Sequence, residues 1–127
     1  MGDFLTDEWF EMARLALADL PAGGPTESVQ YVISGAPGGK VQFVLRVDNG
    51  KLASLTTGKR DDVSCTVQLA AKDALKILSG SLSRDVAFMR GDLKIDGDYA
   101  AYVVRLAPWF ASVPVVAALA PIAAATG

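Results

Sequence analysis

The sequence predicts an α+β domain: a five-stranded, mainly antiparallel sheet covered on one face by helices, in the order α-β-β-β-β-α-α-β-α, followed by an apolar C-terminal tail. Three observations carry that expectation. The N-terminal segment has helical periodicity. Four consecutive segments between Val29 and Leu69 alternate with period two. The helical period then returns, interrupted once by the short strand-like run Leu93-Lys94-Ile95. The 127 residues suffice for one domain with its own core. With 51% hydrophobic and 20% charged residues, the composition is globular and not disordered.

Residues 6–20 read as an amphipathic helix that Pro21 ends. Thr6 is placed as N-cap, Asp7 and Glu8 suit the positive end of the dipole, and Leu5 with Phe10 can staple the cap. Leu5, Trp9, Met12, Ala13, Ala16, Leu17 and Leu20 share one face. After a Gly/Pro-rich connection, Val29, Tyr31 and Ile33 alternate with Gln30, Val32 and Ser34. A turn over Gly35–Gly39 leads to a strand with Val41, Phe43, Leu45 and Val47 on one face. Asn49-Gly50 signals a two-residue type I′ hairpin into a third strand, Leu52–Thr57. The charged loop Gly58–Asp62 precedes a fourth strand carrying Val63, Cys65, Val67 and Leu69. Short connections among these four strands predict an antiparallel meander with one buried face.

Ala71, Leu75 and Leu78 are spaced for a short helix ending near Gly80, and Ser83 caps the next, whose apolar content is Val86, Ala87, Phe88 and Met89. Gly91 suits a left-handed helix stop. Asp98, after the short strand, is placed to cap a helix from Tyr99 toward Leu106, which Pro108 breaks or kinks. Leu106–Gly127 is 22 residues without a charge, interrupted by Pro108, Pro114 and Pro121 and rich in alanine. Its length would span a bilayer, but those prolines and the lack of a flanking basic cluster favour a segment packed on the domain or on a second subunit. The division expected is a domain over residues 1–107 and an apolar segment over 108–127, a lid or an association element.

Several chemistries are excluded or unsupported. With no histidine and one cysteine, the chain lacks a His-based triad and a His- or thiolate-rich metal site. Net charge is −2, so no basic surplus exists to neutralise nucleic acid. Gly35-Ala36-Pro37-Gly38-Gly39-Lys40 resembles a phosphate loop only loosely: it is one residue short, lacks the Ser or Thr after Lys40, and leads into a strand. Asp96-Gly97-Asp98 reads as turn and cap, and Asp61-Asp62 as a solvated loop. Cys65, alternating with Val63 and Val67, reads as a buried and inert thiol. A single cysteine fits a reducing cytoplasm, and Met1–Phe4 lacks the basic region of a signal peptide. No cofactor and no catalysis are expected. A carboxylate enzyme built on Asp96 or Asp98 is the weakest reading. What remains is apolar bulk able to line a ligand cavity: Phe43, Leu45, Val86, Phe88, Met89, Tyr99, Tyr102, Val103, Leu106, Trp109 and Phe110.

Leu78-Ser79-Gly80-Ser81-Leu82, followed by Ala87-Phe88-Met89-Arg90-Gly91-Asp92-Leu93-Lys94-Ile95-Asp96-Gly97-Asp98, supplies the most specific pattern. With Gly58-Lys59, Val67, Leu69 and Asp73, it resembles the sterol carrier protein 2 family, over residues 5–107. The resemblance implies a five-stranded sheet covered by helices with a hydrophobic tunnel between them. It also implies binding of sterols, fatty acids, acyl-CoA or phospholipids without catalysis by the domain. Asp92 and Asp96 stand where basic residues are common, so a CoA headgroup would find less positive charge, and the chain ends Ala-Ala-Thr-Gly where many relatives carry Ser-Lys-Leu. The partners expected are an apolar lipid, a membrane in transient contact, and a second copy through the C-terminal tail. The alternative is a protein–protein interaction or oligomerisation module with a filled core and an associating tail.

Overall fold

The computed structural model describes residues 5–36 and 39–125. The elements run α1 (Asp7–Ala16), β1 (Glu27–Ala36), β2 (Gly39–Asp48), β3 (Lys51–Thr57), β4 (Cys65–Ala70), α2 (Ala71–Ser79), α3 (Arg84–Met89) and β5 (Leu93–Gly97). Six residues of π-helix, Ala101–Leu106, then lead into α4 (Ala107–Ala111) and α5 (Val113–Ala125). This is the α+β architecture expected, with helices packed on a five-stranded, mostly antiparallel sheet. The turn between β1 and β2 passes through residues 37 and 38, which lie outside the described residues, as do 1–4 and 126–127.

In α1 the Thr6 hydroxyl accepts the Trp9 amide hydrogen at 3.4 Å, and Asp7 and Glu8 occupy the first turn. Trp9, Phe10 and Ala13 are buried. The helix stops at Ala16 and not at Leu20. A residue before proline is held out of the α region, so Leu20 cannot be helical, and Leu17 and Leu20 reach the core from the turn instead.

Strand order is β3-β2-β1-β4-β5. The pairs β1/β2, β2/β3 and β4/β5 are antiparallel. The β2–β3 hairpin turns at Asn49 (φ 52°) and Gly50 (φ 79°), the two positive angles that a type I′ turn demands. In β3 a bulge at Ala53 shifts the register, so that Leu52 faces Val47 and Leu55 faces Leu45. Strict alternation would have put those two leucines on opposite sides.

The expected meander is corrected by β4. It does not pair with β3 but lies parallel to β1, with Val29 opposite Cys65 and Tyr31 opposite Val67. The loop from Gly58 to Ser64 therefore crosses the outer face of the sheet. Gln30 fixes that crossing. Its Nε2 lies 3.1 Å from the carbonyls of both Phe43 and Gly58, and its Oε1 accepts the Arg60 amide hydrogen at 2.7 Å. Gln30 is 2% exposed and Val44, its neighbour across the pair, 0%. Arg46 adds an ion pair to Asp62 at 2.7 Å. A face that reads as polar and solvated is in fact partly sealed, because a non-local connection lands on it.

On the other face, α2 begins straight after β4, and Ser83 caps α3 by accepting the Val86 amide hydrogen at 3.1 Å. Gly91 (φ 80°) turns the chain from α3 into β5. Asp98 accepts the Ala101 amide hydrogen at 3.1 Å, as its cap role requires. Arg105 ties this joint to β1, donating to Glu27 at 2.5 Å and to Asp98 at 3.2 Å.

Pro108 does not break the helix. The wider π turns before it carry the chain into α4 with Pro108 in the first turn, where a missing N–H costs least. The bend comes at Ser112, where the direction changes by 72°. Helix α5 then packs back on the domain, with Val115 1% and Ile122 2% exposed and Val113 81% exposed. Among the described residues no single helix is long and apolar enough to cross a membrane; only the bent pair 101–111 and 113–124 meets that length and composition together.

Candidate functional site

Period-two alternation sends Tyr31, Ile33, Phe43, Leu45, Leu55, Leu69 and Leu93 from all five strands toward the helices. Where α1, α2 and the C-terminal helices fail to fill the space above them, a chamber of about 120 Å³ remains. Trp9 and Ala13 close it from α1, Ala74, Ile77 and Leu78 from α2, and Tyr102, Phe110 and Leu119 from the C-terminal segment. Phe43 sits at its floor, stacked on Tyr31 (centroids 5.0 Å apart, 18° between planes) and edge-on to Phe10.

A larger cleft of about 820 Å³ lies outside the chamber, between the α2–α3 connection and helices α4 and α5. Ile77, Leu78, Arg84, Phe110 and Leu119 line both spaces. They form a shared wall, so chamber and cleft are neighbours separated only by side chains. Within that wall the Arg84 guanidinium carbon stands 4.0 Å from the Phe110 ring centroid.

The chamber holds few polar groups. Burial pushes the Tyr31 phenol well above its ordinary range, the nearby Tyr102 adds to the rise, and Arg84 opposes it. The hydroxyl therefore stays protonated and able to donate. Cys65, on the same face but toward the Asp98 joint, is raised to about 11, by burial first and then by the charges of Glu27 and Asp98. Among the described residues no three His, Cys, Asp or Glu side chains gather as a metal site.

Of the residues the sequence proposes as ligand-binding, Phe43, Leu45, Tyr102 and Phe110 come together around the chamber, and Val103 joins Phe110 in the cleft. Leu106 is 0% exposed and packed in the core, on the wall of neither space. Trp109 turns the other way: its indole nitrogen donates to the Gly50 carbonyl at 2.9 Å and pins the β2–β3 hairpin. Phe88 packs on Tyr99 with centroids 5.4 Å apart, outside the chamber, and Val86, Met89 and Tyr99 are exposed there. Sequence reasoning passed over most of the chamber wall, including Trp9, Ile77, Leu78 and Leu119 and, among groups with a polar end, Tyr31 and Arg84. A tyrosine alternating with Val29 and Ile33 signals a hydroxyl that needs a partner inside. A cation in the first turn of α3 opposes the helix dipole, a mild sign that its place is set by something else.

A model of the SCP-2 sterol transfer family matches residues 22–104. Hydroxysteroid dehydrogenase-like protein 2 of Rattus norvegicus is 32% identical over 94 residues, covering 74% of this chain and 18% of that protein. The chain thus spans about a fifth of the length of the curated relative it matches. A crystal structure of sterol carrier protein 2 superposes with a TM-score of 0.69 at 18% identity, covering 98% of this chain and all of that one. The solution structure of palmitated SCP2L2 from Aedes aegypti gives 0.64 at 21% identity, over 82% of this chain and 93% of that one.

Proposed function

The chain belongs to the SCP-2 sterol transfer family, and from that premise we propose that it is a non-catalytic binding and carrier domain for an apolar lipid, held between sheet and helices. The observation that carries this reading is the apolar chamber separated from the 820 Å³ cleft by side chains alone. The chamber's 120 Å³ is below the roughly 300–1,000 Å³ of ordinary ligand sites, whereas the adjoining cleft's 820 Å³ lies within that range, so a ligand reaching into the chamber needs the two spaces joined. Loading therefore moves the shared wall, Phe110 and Leu119 above all. Burial of hydrocarbon drives it: roughly ten methylenes at about 0.8 kcal/mol each give a gross gain near 8 kcal/mol, from which ordering and association costs are subtracted.

Val116 lines the cleft and is 53% exposed, which suits transient contact of the cleft mouth with a membrane during loading and release. The lone buried thiol suits a reducing compartment, the cytoplasm. The second reading, an interaction module that associates through its C-terminal segment, draws on the exposure of Val113. Burial of Val115 and Ile122 inside the same chain favours a lid over a free association face.

Native mass spectrometry of the purified chain, with extraction of bound lipid and titration of a fluorescent alkyl probe, tests the reading. A co-purifying lipid or saturable, displaceable probe binding at micromolar concentration is expected. Absence of both, together with dimerisation lost on truncation after Ala107, would replace the carrier reading by the interaction module.

A further inference from the structure

The outer face of the sheet carries a polar cavity that the carrier reading does not use. It encloses about 420 Å³ beside the Gly58–Ser64 crossing. Its floor follows from the register: Gln42, Val32 and Gln68 stand side by side on β2, β1 and β4, and Thr66 and Asp96 face each other on β4 and β5 in the next rung. Lys40 enters from β2, Lys59 and Arg60 from the crossing. The backbone that carries the last two is fixed. The Gly58 amide donates to the Gln42 carbonyl at 2.8 Å, the Arg60 amide to the buried Gln30 Oε1 at 2.7 Å, and the Ser64 amide to the Ser28 carbonyl at 2.9 Å. The Arg60 guanidinium is held back over the crossing by the Lys59 carbonyl at 3.0 Å. Among the described residues none of the three cations makes an ion pair. The chain has 14 acids against 12 bases, so three unpaired cations on one cavity do not reflect a basic surplus. Asp61 and Asp96 line the cavity too. Asp96 lies three interstrand gaps from Lys40, roughly 14 Å across the sheet.

We propose that this cavity binds a phosphate monoester carried on a hydroxylated skeleton, a sugar phosphate or a nucleoside monophosphate. Its volume lies within the roughly 300–1,000 Å³ of ordinary ligand sites. The phosphate sits among Lys40, Lys59 and Arg60, where guanidinium and ammonium groups give charge-assisted hydrogen bonds. The side chains of Gln42, Thr66 and Gln68 make no hydrogen bond among the described residues, and each can both donate and accept, as a hydroxyl does. The ionised carboxylates of Asp61 and Asp96 only accept, so they take hydroxyl donors and turn the phosphate toward the cations. A bare anion engages the cations and leaves the rest of the cavity unused. An alkyl chain has only Val32 and Val63 to lie on. The anchored backbone keeps the ordering cost of binding small. Binding here is a second role, independent of the carrier function of the inner face.

The test titrates the isotope-labelled full chain, followed by NMR, with adenosine monophosphate, glucose 6-phosphate, their phosphate-free parents adenosine and glucose, and sulfate. Ionic strength is held constant at about pH 7.5, where a monoester with a second pKa near 6 is largely dianionic. At least one ester is expected to bind with a Kd below about 1 mM and at least ~10-fold more tightly than its parent and than sulfate. The amides that shift should be those of residues 40, 42, 58–64, 66 and 68, and the tighter ester identifies the source of the phosphate. Lys59→Gln combined with Arg60→Gln is expected to weaken that ester at least ~10-fold. Both side chains are exposed and the bond to Gln30 comes from the Arg60 backbone, so circular dichroism should show the fold intact. Ester affinity that survives in the folded double variant would overturn the inference. Sulfate binding as tightly as either ester would also overturn it and mark an adventitious ion only, a result that needs no variant. No shift at these amides with either ester at about 10 mM, well above the expected Kd, would overturn it as well.

Discussion

The two faces of the sheet are closed by opposite means. The outer face is sealed in part by one connection, Gly58–Ser64, held down by the carboxamide of Gln30 and packed over Val44. The inner face is covered by helices whose contacts are almost all apolar, and it keeps a chamber. Directed hydrogen bonds specify one arrangement and leave no slack, because a donor or acceptor without its partner in a dry site is costly. Dispersion contacts are individually weak, so an apolar wall can be displaced and remade around a ligand. The difference implies that the outer face sets the topology and the inner face carries the function.

The largest expected effect tests the outer face. Gln30→Ala leaves the Gly58 carbonyl and the Arg60 amide without their buried partner, and stability should fall by roughly 2–4 kcal/mol. Urea unfolding measures it. A loss below about 1 kcal/mol would mean that the crossing is held by Val44 packing and not by the amide, and the contrast between the faces would collapse.

A smaller effect is expected on the inner face. Phe110→Leu removes the ring beneath Arg84 and opens the wall, while hydrocarbon still covers the core. Stability should drop by only about 1 kcal/mol, the lost cation–π contact plus a little apolar area. The association rate of a fluorescent alkyl probe, followed by stopped flow, should rise several-fold. An unchanged rate would move the entry route away from Phe110 and sharpen the comparison by making the wall as fixed as the outer face.

What the sequence made legible follows the same division. The inner face could be read because burial against helices imposes period two, which placed Phe43 and Leu45 correctly beside each other on a buried face. Local capping could be read too, at Thr6, Ser83 and Asp98, since each involves residues three apart. The crossover could not: Gly58–Asp62 carries the composition of a solvated loop, and the Gln30 side chain that receives it lies about thirty residues upstream in a run that looks half-polar. Trp109 and Phe110 were indistinguishable as adjacent aromatics. The π turns ahead of them decide that Trp109 meets the Gly50 carbonyl while Phe110 meets Arg84. A π segment has no periodicity that a six-residue window could reveal.

The smallest effect expected concerns Cys65, where the apolar inner face runs out at the Asp98 joint. Its thiol is raised from 9.0 to about 11 by burial, then by Glu27 and Asp98. A folded-state pKa above the unfolded one means that the unfolded chain releases this proton first. The associated stability is intact below pH 9 and declines as pH rises toward about 11. Tyr31, also raised, acts in the same direction, so Cys65→Ala should make the alkaline decline shallower without abolishing it. Urea midpoints at pH 8, 9.5 and 10.5 measure the slope. In the native protein at pH 8 a disulfide reagent should leave the thiol unmodified, and unfolding in urea should release it. Rapid modification of the folded protein would place Cys65 in contact with solvent and extend the adaptable, penetrable part of the inner face as far as the joint.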